Sequence, residues 1–126
     1  MEKNLREVFE EYDLAAAYLF GSFARGEEHS SSDIDIAVLF KSFDARKLLE
    51  LSRNLNEEVD LDRELDVRAL NDADLVFRKN VVSEGDIIHE GDRERRMIFE
   101  EKTFKNYIDM KPHIEHYREM MSERLA

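Results

Sequence analysis

The chain has 126 residues, no cysteine and a net charge of −11 at pH 7. Its length is that of one domain with its own core, so we expect residues 1–126 to form one domain. The missing cysteines exclude disulfides and thiolate metal sites, and the acidic surface argues against direct nucleic-acid binding. The N-terminal residues lack a signal-peptide core and no apolar run is long enough for a bilayer, so we expect a cytoplasmic protein without membrane contact.

The first predicted elements are a helix and a strand. Residues 2–12 have apolar side chains at helical spacing, and residues 14–20 form a nearly continuous apolar run that is consistent with a buried strand. Gly21 then allows a sharp turn and the close approach of a ligand. Ser22 adds a hydroxyl and an amide, and amides clustered at such a turn suit an anionic phosphate.

A second strand is predicted over residues 33–40, and it begins with two aspartates. Side chains alternate along a strand, so Asp33 and Asp35 lie on the same face. Two adjacent carboxylates repel each other and are costly to bury without a cation. Mg²⁺ relieves that cost, since it binds carboxylates together with phosphate oxygens.

The middle of the chain alternates helix and strand patterns. Residues 44–59 carry leucines at helical spacing, and Asp44 is placed to cap that helix. Residues 64–70 alternate polar and apolar side chains, which predicts a third strand. Another helix is expected over about residues 73–82, capped by Asn71 or Asp72 and ended by Gly85.

The C-terminal part is predicted to be a short strand, residues 86–90, and a helical segment, residues 92–126. Pro112 interrupts that segment, so we expect two helices or one kinked helix. Its apolar stripes are more often core or a dimer seam than a partner groove, although its Met and Tyr side chains suit a partner surface. The order of elements predicts an α+β fold, a small mixed sheet with helices against one face.

Two motifs together resemble a known family. The run from Gly21 to Gly26 (G-S-F-A-R-G), followed by Ser32-Asp33-Ile34-Asp35, is similar to the signature of the minimal nucleotidyltransferases (MNT) of the polymerase-beta-like nucleotidyltransferase superfamily. The family's third acidic residue stands in a context that Asp66-Val67-Arg68-Ala69-Leu70-Asn71 resembles. Spacing alone does not separate Asp66 from Glu64, because both would share a strand face.

The resemblance implies a polymerase-beta-like fold and a magnesium-dependent reaction. Asp33, Asp35 and Asp66 would be the catalytic carboxylates and would hold two Mg²⁺ ions, while Gly21 and Ser22 would grip the phosphates of ATP. Arg25 is either a further phosphate ligand or one half of a surface ion pair. Family members commonly transfer AMP from ATP to a tyrosine of a helical HEPN ribonuclease toxin, and so act as its antitoxin.

Two other functions remain open at this point. One is transfer of a nucleotide to a small molecule of the aminoglycoside type, with an acceptor pocket supplied by a homo-oligomer. The other is a non-catalytic antitoxin that neutralises its partner in a hetero-oligomer by occlusion alone.

Overall fold

The computed structural model describes residues 3–21, 26 and 33–125. Four strands form one mixed sheet in the order β3-β2-β1-β4. Central strand β1 runs antiparallel to both of its neighbours, and β2 is parallel to β3. The strands are β1 (Leu14–Phe20), β2 (Ile34–Phe40), β3 (Leu65–Ala69) and β4 (Asp86–Glu90).

Helices cover both faces of this sheet, so the expectation of helices against one face is wrong. Helices α1 (Leu5–Glu10) and α2 (Ala45–Glu58) pack on one face, and α3 (Leu75–Glu84) and α4 (Arg93–Leu125) pack on the other. The physical reason is that β1 is buried on both sides from Leu14 through Tyr18. A strand that is apolar on both faces needs a cover on each.

The predicted N-cap residue is confirmed for α2 and is wrong for α3. Asp44 caps α2 as predicted, accepting a hydrogen bond from the Arg46 N–H at 2.9 Å. Helix α3 is capped by Asp74, and neither Asn71 nor Asp72 performs that role. Asn71 is unavailable as a cap because its side chain makes two hydrogen bonds of 2.9 Å to the backbone of Phe40.

The C-terminal segment is one helix that contains Pro112, and the proline side chain is exposed. Helix α4 begins beside the start of β1, where the Asp92 N–H donates to the Ala15 carbonyl at 3.1 Å. Eight residues later, Glu100 accepts a hydrogen bond of 2.9 Å from the Tyr18 hydroxyl. The helix therefore packs on the sheet face that carries Tyr18, beside α3. None of the helices in the described part of the chain is both long and apolar enough to cross a bilayer.

Candidate active site

The first feature of the site is the contact between the end of β1 and the start of β2. Gly21 has φ of +77°, and a β-carbon added to it would collide with Oδ2 of Asp35 and lie 3.2 Å from its Cγ. The ladder places Phe20 opposite Asp35. A side chain at position 21 is thus excluded twice, by the left-handed backbone and by the neighbouring carboxylate.

The second feature is a pair of carboxylates on adjacent parallel strands. The register of β2 with β3 places Asp35 opposite Asp66, and both residues are half-buried. Nε of Arg68 lies 3.7 Å from Oδ2 of Asp66. Glu64 lies before β3, and its carbonyl accepts a hydrogen bond of 3.0 Å from the Ile34 N–H. The geometry therefore places Asp66, and not Glu64, in the strand position opposite Asp35.

The pair is electrostatically unfavourable without a cation. Burial raises the pKa of Asp35 above its ordinary value, and the neighbouring carboxylates of Asp66 and Asp33 raise it further, while Arg68 acts in the opposite direction. An ionised Asp35 is therefore less favourable in the folded chain than in water. Carboxylate oxygens held together in this way are the ligands that a hard divalent cation prefers, so Asp35 and Asp66 fit a Mg²⁺ ion.

The remaining predicted site residues are less closely gathered. Asp33 is exposed and lies immediately before β2, and its charge contributes to the raised pKa of Asp35. In residues 3–21, 26 and 33–125, no three His, Cys, Asp or Glu side chains converge into a group able to hold a metal ion. Ser22 and Arg25 lie outside the described residues. The structure thus brings together Gly21, Asp35 and Asp66, with Asp33 at their rim.

Asn56 also supports the site, although sequence reasoning did not select it. It lies in α2, and its Nδ2 donates to the Leu65 carbonyl at 3.0 Å while its Oδ1 accepts from the Leu65 N–H at 2.8 Å. These bonds replace a neighbouring strand on the free edge of β3 and fix the residue just before Asp66. The sequence signal for such a role is that Asn56 is a weak helix former within a strongly helical pattern.

Two cavities lie at opposite ends of the sheet. One of about 250 Å³ borders Gly21 and has aromatic walls, where Phe20 and Phe77 meet edge to face with centroids 5.3 Å apart. Another of about 660 Å³ lies at the far end, beside Ala15 and Phe40. We assign the chemistry to the end with the smaller cavity, because the paired carboxylates lie there.

The collision at Gly21 predicts a specific loss of stability. Gly26 has a similar φ of +71°, but no atom of the residues that the structure describes lies within 4 Å of an added β-carbon, so Gly26→Ala is a matched control. We expect Gly26→Ala to lower the free energy of unfolding by about 1 kcal/mol, and Gly21→Ala by at least about 1 kcal/mol more. Urea unfolding measures both, and adding Asp35→Ala to Gly21→Ala should recover most of the excess. Equal losses at the two glycines would contradict this account of the contact.

The raised pKa of Asp35 predicts that Asp35→Asn stabilises the metal-free chain. A carboxyl with a raised pKa destabilises the fold above that pKa, and the cost disappears as the pH falls below the ordinary value of about 3.9. Thermal unfolding in EDTA at pH 7 should show Tm rising by about 2–4 °C, and the gain should shrink toward pH 4. The exposed Asp60 provides the control, since Asp60→Asn should change little. A lower Tm, or a gain independent of pH, would refute the prediction.

Comparison with known proteins agrees with this geometry. The family model for the polymerase beta nucleotidyltransferase domain matches residues 3–94. Protein adenylyltransferase MntA of Shewanella oneidensis is 36% identical over 95 residues, which are 75% of this chain and 66% of that protein. This chain thus spans just under two thirds of the length of that curated relative.

Two solved structures are similar over nearly the whole chain. A toxin-antitoxin structure with AMP-PNP has a TM-score of 0.73 at 31% identity, covering 95% of this chain and 94% of that one. A tri-AMPylated Shewanella oneidensis HEPN toxin in complex with MNT antitoxin matches with a TM-score of 0.66 at 28% identity, covering 95% and 92%. Together with the match over residues 3–94, these similarities show that the chain belongs to the polymerase beta nucleotidyltransferase family.

Proposed function

We propose that this chain is a magnesium-dependent protein adenylyltransferase that transfers AMP from ATP to a tyrosine of a cognate HEPN toxin, and so acts as its antitoxin. The observation that carries the proposal is the Asp35–Asp66 pair held in register against Gly21. The similar structures support the choice of nucleotide and acceptor, since one holds AMP-PNP and another an AMPylated HEPN toxin.

Each residue has a proposed role in binding ATP. Asp33, Asp35 and Asp66 would hold two Mg²⁺ ions, and Gly21 and Ser22 would bind the terminal phosphates through backbone amides and a hydroxyl. The turn at Gly21 places its backbone against Asp35, beside the proposed metal ligands, where a metal-bound phosphate would lie. Arg25 is proposed as a further phosphate ligand. When bound, Mg²⁺ neutralises phosphate charge and stabilises the attacking and leaving oxygens.

The proposed reaction is an in-line displacement. The tyrosine hydroxyl of the acceptor attacks the α-phosphorus, a new P–O bond forms, and the bond to pyrophosphate breaks. We assign the orientation of the acceptor hydroxyl, and removal of its proton, to Asp66 at the open edge of the pair. Arg68, 3.7 Å from Asp66, helps to fix the orientation of that carboxylate. The products are the AMP-tyrosine ester and pyrophosphate.

Transfer of label from α-labelled ATP tests this function and separates the two candidate acidic residues. With Mg²⁺ and the helical protein encoded by the neighbouring gene, label should appear on that protein. Asp35→Asn and Asp66→Asn should each lower the rate by at least about 100-fold, because each removes a ligand of the proposed metal site. Glu64→Gln is the matched control, since Glu64 lies outside β3.

Other outcomes would change the assignment. Full activity of Asp66→Asn with loss in Glu64→Gln would move the third carboxylate to Glu64. A partner that stays unlabelled, yet is inhibited equally well by Asp35→Asn and the unmodified chain, would show neutralisation by occlusion in place of catalysis.

A further inference from the structure

The distal segment of α4, residues 108–125, extends beyond the part of the helix that packs on the protein body. Thr103 is buried against the sheet, and Lys79 of α3 lies over the Tyr107 ring. At about 1.5 Å per residue, the distal segment adds about 27 Å of helix. Its side chains are all exposed or half-buried. The distal segment therefore offers a surface that the described part of the chain does not cover.

The helix face that packs on the protein body continues as an apolar stripe along the distal segment. Phe99 and Thr103 face the sheet, and Lys79 lies over the Tyr107 ring at 4.9 Å from its centroid. Successive residues of a helix are turned by about 100°. Five apolar side chains of the distal segment therefore fall within about 40° of the line that runs along the helix through Thr103. These residues, which we call the apolar seam, are Met110, Ile114, Tyr117, Met121 and Leu125. Tyr117 is 62% exposed and Leu125 80% exposed, so the seam is uncovered here.

The charges of the distal segment are sorted around the seam. Lys111, Arg118 and Arg124 lie about 60–80° from its centre line, and so flank it on both sides. The four acidic residues lie on the outer face, at about 120° or more: Asp109, Glu115, Glu119 and Glu123. One ion pair is present across this boundary, with Lys111 Nζ 4.0 Å from a carboxylate oxygen of Glu115. At that distance, and with both side chains 57% exposed, the pair leaves Lys111 free to turn toward a partner.

We propose that the apolar seam binds an amphipathic helix of the toxin partner, one whose apolar stripe is flanked by acidic side chains. The spacing of Met110, Ile114, Tyr117 and Met121 is four, three and four residues, as in helices that pack side by side. The basic flanks select an acidic partner. They also disfavour a second copy of this chain, because two such seams would bring Lys111 and Arg118 against basic side chains of the other copy.

Such an interaction would have a role in the proposed reaction. A toxin bound to the seam is tethered to the chain that carries Asp35 and Asp66, so its acceptor tyrosine stays available to that site. The seam would thereby raise the effective concentration of the acceptor while taking no part in the chemistry. This inference rests on the proposed function for the identity of the partner.

Calorimetric binding to the protein encoded by the neighbouring gene tests the proposal. The double substitution Ile114→Asp with Tyr117→Asp should weaken binding at least about 100-fold, because it places charges in the apolar contact. Arg118→Glu should weaken it about 10-fold and reduce its salt dependence. Glu119→Lys, on the outer face, is the matched control and should change affinity less than about 2-fold. All four positions are half-exposed or exposed, so Tm should stay unchanged.

Measuring binding separately from transfer distinguishes this proposal from the proposed function. If the unmodified chain binds but transfers no label, and the seam variant no longer binds, the docking proposal is supported and the catalytic proposal fails. Undiminished binding by the seam variant overturns the docking proposal. So does sedimentation showing a homodimer of the unmodified chain that the seam variant loses, since a second copy would then occupy this surface.

Discussion

The site depends on the contact between the Gly21 backbone and the Asp35 side chain. The positive φ of Gly21 turns the chain at the end of β1, and the absence of a β-carbon lets the Asp35 carboxylate lie against that turn. The parallel pairing of β2 with β3 then places Asp66 beside Asp35. The turn at Gly21 and a pair of acidic side chains are thus joined by a contact that a β-carbon at position 21 would disturb.

This arrangement costs stability in the metal-free chain. Burial and the nearby carboxylates raise the pKa of Asp35, so ionisation there opposes folding. The structure offsets the cost with contacts around the site, such as the hydrogen bonds of Asn56 to Leu65 at the edge of β3. Sites that bind charged ligands commonly carry such unfavourable electrostatics when empty, because the ligand supplies the compensating charge.

Local patterns predicted most of the elements, because apolar periodicity distinguishes helices from strands. The same periodicity predicted a shared strand face for Asp33 and Asp35, but β2 begins at Ile34, so Asp33 lies just outside the strand. The choice of Asp66 over Glu64 depends on the residue at which β3 begins. The Asn56 side chain fixes that residue by hydrogen bonds to the backbone of Leu65, nine residues further along the chain. The helix cover on both sheet faces follows from long-range packing of β1 that no local pattern contains. The same holds for the position of α4 on the sheet, which depends on the hydrogen bonds of its first turns to Ala15 and Tyr18.

Binding of AMP-PNP, measured by thermal unfolding with and without Mg²⁺, tests the Gly21–Asp35–Asp66 cluster directly. Tm should rise only when nucleotide and metal are both present, and Asp35→Asn should lose this rise. An equal rise in EDTA, or an undiminished rise in the variant, would contradict the assignment of the Gly21–Asp35–Asp66 cluster as the metal-nucleotide site.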